Sequence, residues 1–249
     1  MLTRILGAGL LAGAIAGVLV AGLQHVTTVP LILKAEVYEN AAEKPAAAEP
    51  SLFRSGGEAR LILVHGGEDH AAADGSEAWS PADGLERTAA TTVTTVGTAV
   101  GFSLMLLAAM IAAGVPVTPR SATLWGAAAF FAAGLAPSLG LPPELPGSAA
   151  GDLVHRQLWW WGTAVATAAG IWLLFKSDGA PRIVAGLVLM VAPHVIGAPH
   201  APAFASTAPA ELAGHFASAS LAVHAVMWTL TGALTGYFWQ RFKGEDASY

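Results

Sequence analysis

The stretch Pro193–His224, PHVIGAPHAPAFASTAPAELAGHFASASLAVH, determines how the rest of the chain is interpreted. It joins two apolar runs and contains no Lys or Arg, yet it holds four of the eight histidines and one carboxylate, Glu211. Its last histidine, His224, falls well inside the second apolar run. A polar, metal-competent side chain within a membrane span is costly and is by default a functional-site hypothesis. We therefore predict that this stretch carries the functional site and that the other segments form its scaffold.

The composition of the whole chain is typical of an integral membrane protein. Of its 249 residues, 54% are hydrophobic and 12% are charged, whereas a soluble domain carries about 25% charged residues. The net charge is −5 without a basic block, so no nucleic-acid partner is expected. The chain has no cysteine, which excludes thiolate metal sites, iron–sulfur clusters and disulfides. It also lacks a glycine-rich phosphate-binding loop, so we expect no ATPase activity and predict no other enzyme activity.

Apolar runs of membrane-spanning length predict an all-α fold, a polytopic membrane helix bundle with about six transmembrane helices. The predicted spans are residues 5–29, 85–113, 121–139, 158–175, 182–198 and 209–240. They divide the chain into a first transmembrane helix (1–33), a polar extracytoplasmic loop (34–83) and a five-helix transmembrane bundle (84–249). Within the loop, Leu61–Val64 suggests a short strand. A cleaved signal peptide is the alternative for the first run, although no clean cleavage site follows it.

Glycines spaced by four residues predict three helix faces that another helix can approach closely. These glycines are Gly9, Gly13 and Gly17 in the first span, Gly97 and Gly101 in the second, and Gly232 and Gly236 in the last. A small bundle does not require so many close contacts internally. We therefore expect the face on the first span or the face on the last span to dock another subunit or a second copy.

Two further patterns have a structural and a functional interpretation. Thr88, Thr91, Thr95 and Thr98 form a hydroxyl stripe along one face of the second span. Threonines in a span often bond back to their own helix, and this interpretation is favoured over a polar translocation path. The run Trp159–Trp161 opens the fourth span, where an interfacial aromatic belt is favoured over stacking on a substrate.

The positions of the basic residues predict the orientation of the chain. With six spans, the short segments on the side of the termini hold Arg4, Arg120, Lys176, Arg182, Arg241 and Lys243. The short loops on the other side hold only Arg156. The positive-inside rule then predicts a multi-pass inner-membrane protein with both termini in the cytoplasm. A five-span arrangement is the alternative. In the six-span arrangement all eight histidines lie outside or in the outer half of the bilayer.

This one-sided placement suggests that the histidines capture a metal cation from outside. We predict that an outer metal-binding vestibule is formed by His194, His200, His215 and Glu211, and that His224 takes the ion deeper as an inner relay. The remaining predicted metal ligands are His25, His65 and His70. Glu211 and His215 are one helical turn apart and share a face, whereas His224 projects from the opposite side of the same helix. His65 and His70 flank two carboxylates, a combination that suits a borderline divalent ion. The alternatives are a hydrogen-bonded helix-end residue for any single histidine, a packed, hydrogen-bonded residue for His224, and a solvated acidic loop for the His65–His70 segment.

An ordered set of motifs resembles the CbtA family, the proposed membrane subunit of a bacterial cobalt transporter. The motifs are Gln24-His25 at the end of the first span, Trp79-x-Pro81-x-Asp83-Gly84-Leu85-Glu86-Arg87, Pro142-Pro143-Glu144-Leu145-Pro146-Gly147 followed by Arg156-Gln157-x-Trp159-Trp160, and Pro193-His194-x-Ile196-Gly197-Ala198-Pro199. The resemblance implies Co²⁺ uptake linked to cobalamin synthesis and a small single-span, histidine-bearing partner, CbtB. Family members often carry a more histidine-rich outer loop and are often described with five spans.

The sequence therefore predicts a membrane subunit of a cobalt uptake transporter, with Ni²⁺ as a second candidate ion. The expected partners are the cobalt ion, the lipid bilayer, a small CbtB-like subunit and a second copy in a homo-oligomer. No permanently bound cofactor is expected. Two alternatives remain: a membrane electron-transfer subunit holding b-type haem between two intramembrane histidines, and a membrane scaffold that transports nothing itself.

Overall fold

The computed structural model describes residues 1–43, 81–82, 84–203 and 205–246, and the regular elements of these ranges are all helical. The helices are α1 (Leu2–Val26), α2 (Thr28–Glu43), α3 (Leu85–Ala112), α4 (Pro119–Phe130), a π-helical turn (Phe131–Leu135), α5 (Ala136–Ser138), α6 (Leu153–Phe175), α7 (Ala180–Ile196) and α8 (Ala210–Asp246). Among these described helices, α1, α3, α6 and α8 are long and apolar enough to cross a membrane, and α7 is apolar but shorter. The predicted all-α membrane helix bundle is confirmed. The count of six spans stays a prediction, in which α4, the π turn and α5 form one span.

The centre of the bundle is built from α1, α3, α4 and α8, which approach one another through glycines. A Cβ atom added at Gly13 of α1 would lie 2.3 Å from the Val100 Cα atom of α3, and one added at Gly236 of α8 would lie 2.4 Å from the Thr118 carbonyl oxygen at the start of α4. Both faces are therefore occupied inside the chain, which corrects the expectation that one of them docks another subunit. At Gly97 and Gly101 no described helix of this chain approaches, because a Cβ atom at either position would meet no described atom within 4 Å.

Helix α2 was not predicted by the amino-acid pattern, which assigned residues 34–43 to a polar loop. The chain breaks its helix at Thr27 and restarts at once, with Pro30 in the first turn of α2, where its missing N–H is tolerated. Leu31 and Ala35 are buried in a small cluster with residues from α8 and the loop before α6. Glu36 of α2 forms a two-pronged ion pair with Arg87 of α3. The suggested strand at Leu61–Val64 lies outside the described residues.

Helices α6 and α7 form an antiparallel pair that joins the bundle mainly through the π turn and α5. Gly170 and Gly186 cross in direct backbone contact, since a Cβ atom at Gly170 would lie 2.6 Å from the Gly186 carbonyl oxygen. Asp152 caps the start of α6 by accepting a hydrogen bond of 2.9 Å from the His155 backbone N–H. That bond holds the pKa of Asp152 below its ordinary value. The charged cap is therefore fully present at neutral pH and is lost only as the pH falls through the lowered value.

One end of the bundle collects basic side chains. The start of α4 meets the end of α8, where Gln240 donates to the Val117 carbonyl, and Trp125 of α4 meets Trp172 near the end of α6. This basic end holds Arg4, Arg120, Lys176, Arg182 and Arg241. Arg4 donates a hydrogen bond of 2.8 Å to the Trp239 carbonyl and lies over the Trp239 ring, which ties the start of α1 to the end of α8. The basic residues of the short segments thus lie together, as the charge pattern predicted.

Candidate functional site

The predicted site lies at the opposite end of the bundle, where α7 ends and α8 begins. Two loops meet there, residues 139–152 before α6 and the described residues 197–203 and 205–209 before α8. The Ala149 N–H donates to the Ala205 carbonyl at 2.8 Å, and the Thr207 N–H donates to the Gly147 carbonyl at 3.2 Å. Gly147 has a φ of 75°, a conformation that glycine adopts at little cost. A side chain there would also collide with Thr207, so this pairing of loops requires glycine.

Several of the motifs quoted above hold this end together. Arg156 forms an ion pair of 2.7 Å with Glu144, and the indole N–H of Trp159 donates to the Pro193 carbonyl at 3.2 Å. Gly140 sits so close to Trp159 that an added Cβ atom would lie 2.5 Å from the ring. These contacts bring three separate segments of the chain, residues 140–144, 156–159 and 193, into contact at this end of the bundle. They give Arg156 and Pro193 a structural role whatever else they do.

The four residues of the predicted vestibule differ in their surroundings. His194 is partly buried beside the Trp159 ring, with 5.9 Å between ring centroids. His200, Glu211 and His215 are exposed. The part of the chain that the structure describes contains no group of three or more His, Asp or Glu side chains that could hold one metal ion. The structure thus does not gather these four side chains around one point, and metal binding by them stays a prediction.

His224 lies within α8 in an aromatic setting. Its Nε2 atom accepts a hydrogen bond of 3.0 Å from the indole N–H of Trp228, one turn later. The rings of Phe102 and Phe130 flank the imidazole, with centroids 6.3 and 5.9 Å away. The bond to Trp228 occupies the Nε2 lone pair, so a metal could bind there only after Trp228 released it. This environment fits the packed, hydrogen-bonded alternative for His224.

The π turn places its glycine directly against that imidazole. A Cβ atom added at Gly134 would lie 3.0 Å from the His224 Nδ1 atom. The turn precedes Pro137, which has no N–H for the helical ladder. Instead the Ala136 N–H reaches back five residues to the Phe131 carbonyl. Insertions of this kind are frequent at functional sites. The sequence indicated Pro137 as an end of the span, but nothing in it pointed to the contact between Gly134 and His224.

A cavity of about 820 Å³ lies between α1, α2 and α3 at the same end of the bundle as the loops. Its walls are largely apolar and include Val18, Val29 and Ile32, but polar groups also line it, and we call it the polar cavity. Its polar lining consists of Gln24, His25, Thr28, Arg87, Thr88, Thr91 and Thr92. At its base, the hydroxyl of Thr95 donates a hydrogen bond of 2.8 Å to the Gln24 side-chain oxygen. His25 was predicted as a ligand, whereas Thr28 and Arg87 were not singled out as site residues. They come together because α2 folds back over the start of α3, and no sequence signal predicted that return.

The threonine stripe of α3 serves two purposes. Thr88 and Thr98 donate to the carbonyls of Gly84 and Thr94, each at 2.9 Å, which is the back-bonding that was favoured. Thr95 instead reaches across to α1 and is buried. One residue of the stripe thus makes a contact between helices at the base of the polar cavity.

Other predicted or notable groups lie outside these sites. His65 and His70 are not among the described residues. His155 is exposed and lies 2.7 Å from the Asp152 carboxylate. A second cavity, of about 440 Å³, lies near the basic end between α3, α4 and α6 and is almost wholly apolar. It offers no metal ligand, and Lys176 is the one charged residue among those that line it.

A family model described as "Probable cobalt transporter subunit (CbtA)" matches residues 2–240, nearly the whole chain. No curated protein and no solved structure matches the chain.

Proposed function

This chain belongs to the CbtA family of probable cobalt transporter subunits, and from that premise we propose that it carries Co²⁺ inward across the cytoplasmic membrane. In this proposal both termini are cytoplasmic, and the polar cavity and the loops face the outside. The observation that carries the proposal is the family match over residues 2–240. The orientation is supported by the five described basic side chains at one end of the bundle, which the positive-inside rule assigns to the cytoplasm.

We infer that the outward histidines capture the ion before it enters the bundle. Imidazole and oxygen donors suit both Co²⁺ and Ni²⁺, so Ni²⁺ is proposed as a competing ion. His25 lies in the lining of the polar cavity, and His194, His200 and His215 lie at or near the adjoining loops. His65 and His70 belong to the capture set through their position in sequence. Because imidazole binds metal only when neutral, protonation competes with the ion, and uptake should weaken as the external solution is acidified.

The proposal includes a CbtB-like partner and association into an oligomer. The glycine faces of α1 and α8 are occupied inside the chain, so a docking subunit must use another surface. We propose that the partner is small and spans the membrane once, and that it delivers the ion or completes the path. Supply of cobalt for cobalamin synthesis is the physiological role that this proposal implies.

The decisive experiment measures radioactive Co²⁺ uptake by cells that express the chain with and without its partner. Uptake should exceed that of cells with an empty vector, fall when unlabelled Ni²⁺ is added, and fall as the external pH is lowered from 7.5 to 5.5. Equal uptake with and without the chain, in the presence of the partner, would refute the proposal.

His224→Ala separates capture from packing. If His224 relays the ion, flux per membrane-inserted molecule drops while surface binding stays; normal flux per molecule with a lower protein amount would end the relay idea. An absorption spectrum of the purified protein tests the haem alternative, which requires a Soret band.

A further inference from the structure

Buried hydroxyl side chains follow the seam between α3 and α8 in the centre of the bundle. Thr95 and Ser103 of α3 are 7% and 0% exposed, and Thr231 and Thr235 of α8 are both 0% exposed. The hydroxyls of Ser103 and Thr235 lie 2.7 Å apart, within hydrogen-bond distance. Thr95, Ala99 and Ser103 recur every four residues and therefore share one face of α3. The seam is thus a set of four buried hydroxyls, in which Ser103 and Thr235 join α3 to α8, Thr95 bonds to α1, and Ala99 separates Thr95 from Ser103.

Thr231 does not fit a purely structural explanation of this row. Interhelical hydrogen bonds between hydroxyls hold membrane helices together, and the Ser103–Thr235 contact fits that role. Thr235 also donates to the Thr231 carbonyl at 2.7 Å, as a threonine in a span commonly does. The Thr231 hydroxyl, however, is fully buried and has no hydrogen-bond partner among the described protein atoms. A buried hydroxyl without a protein partner has room in its hydrogen bonding for a polar guest, either water or an ion. What distinguishes Thr231 from Thr167 of α6, whose hydroxyl is also buried and unpartnered, is its place one turn from the Ser103–Thr235 pair.

The seam begins at the base of the polar cavity. Thr95 bonds Gln24 there, and Ser103 follows eight residues later, about 12 Å further along α3. Beyond Ser103, towards the basic end, the interior is closed by an apolar cluster that includes Ala8, Leu107 and Met110, all 0% exposed. Along the bundle axis the order is therefore polar cavity, hydroxyl seam, apolar plug, and a second apolar cluster with Val20 and Met227 lies beside the seam, one helical turn from Gln24 and from Thr231.

We propose that this seam is the route of the transported divalent cation, an inference that rests on the transport function proposed above. The cavity admits the hydrated ion, and the Gln24–Thr95 hydrogen bond closes its base. Hydroxyl and amide oxygens along the seam replace part of the ion's hydration shell, which is how polar pore linings select and pass ions. The seam is closed in this structure and conducts when α8 separates from α1 and α3, with the apolar plug as the inner gate.

Replacing Thr231 by Val tests the route, because flux and stability should respond differently. Valine keeps the shape and removes a hydroxyl that makes no bond to the protein, so thermal stability should be unchanged or slightly higher. Uptake per membrane-inserted molecule should fall severalfold. Thr167→Val is the matched control: Thr167 is also 0% exposed with an unpartnered hydroxyl, but it lies in α6, away from the seam. It should leave uptake unchanged. Normal uptake in Thr231→Val, or equal losses in both variants, would overturn the proposal.

Cysteine labelling tests the route without relying on cobalt transport. The chain has no cysteine of its own, so single replacements need no altered background. Thr95→Cys and Thr231→Cys should react with a membrane-impermeant methanethiosulfonate, added from the side of the polar cavity, faster than Thr167→Cys does. If neither Thr95→Cys nor Thr231→Cys is labelled faster than Thr167→Cys, the seam is tightly packed and water does not reach it. If the unmodified chain takes up no cobalt with its partner present, the transport function fails, while the labelling still decides whether water reaches the seam.

Discussion

Replacing Gly13 by Ala tests directly how α1 is seated on α3. The new Cβ atom would lie 2.3 Å from the Val100 Cα atom, 2.6 Å from the Val100 nitrogen and 2.8 Å from the Ala99 carbonyl oxygen. Ordinary contact begins at 3.4 Å, so the two helices must separate locally by about 1.1 Å, the difference between 3.4 and 2.3 Å. Because all three atoms belong to the backbone, no side-chain rotation relieves the collision.

The expected loss of stability follows from three contributions. Overpacking a tight interior costs about 1–3 kcal/mol. A gap of about 0.5–1 Å forfeits roughly a quarter to a half of the local dispersion attraction between the surfaces it separates. Against these losses, Ala favours the helix over Gly by about 1 kcal/mol. We expect a net destabilisation of about 2 kcal/mol, which lowers the midpoint of thermal unfolding by about 4–8 °C for a chain of this length.

The assay is thermal unfolding of the purified protein in detergent, followed by the loss of the monodisperse peak in size-exclusion chromatography. Gly22→Ala is the matched control on the same helix, since a Cβ atom there meets no described atom within 4 Å. Its midpoint should stay the same or rise slightly, as helix propensity alone dictates. If Gly13→Ala and Gly22→Ala unfold at the same temperature, the close approach of α1 and α3 is wrong.

Four further predictions concern other contacts and the topology. Reporter fusions at Tyr249 and near Glu77 should report opposite sides of the membrane, and an extracytoplasmic Tyr249 would contradict the predicted orientation. Glu36→Arg and Arg87→Glu should each lower the unfolding midpoint, and the double swap should recover most of the loss if their ion pair holds α2 to α3. Trp228→Phe removes the donor to His224 and, because Trp228 is 4% exposed, also leaves a cavity, so stability should fall by about 1–3 kcal/mol in the same unfolding assay; an unchanged midpoint would show that neither the hydrogen bond nor the packing of this ring contributes. Replacing His65 and His70 together by Ala should reduce cobalt uptake mainly at low external metal, and an equal reduction at saturating metal would argue against capture by this segment.

Much of the architecture could be predicted because membrane spans are a local property of sequence. A run of about 20 apolar residues satisfies its own backbone hydrogen bonds as a helix and needs no partner to be recognised. The positions of α1, α3, α6, α7 and α8 follow from such runs. The basic residues lie at one end because successive spans cross in opposite directions, which places every second connecting segment at the same end of the bundle. The motifs that resemble CbtA could be read in order without any knowledge of their contacts, and the family match confirms that family.

The sequence did not predict which helix covers which face. Glycines at every fourth residue on α1 and on α3 look alike in the sequence, yet the face at Gly13 is packed against backbone and the one at Gly97 is open. The four-residue spacing of glycines shows that another helix can approach closely. Whether a helix does so depends on how the whole bundle packs. The same reason explains α2, whose apolar Leu31 and Ala35 are buried by residues more than a hundred positions away.

The sequence by itself therefore determined the class of protein, the ends of most spans, the chemistry of the available ligands and the family. The tertiary structure decided the neighbours of each polar group. The sequence shows that His224 has an imidazole able to bind metal, but only the structure shows that its Nε2 atom accepts a hydrogen bond from Trp228. Thr231 has no distinguishing feature in the sequence, but it is the buried hydroxyl on α8 without a partner in the described part of the chain. Ligand type is a property of a residue, whereas the availability of a lone pair depends on the groups that packing brings within about 3 Å of it.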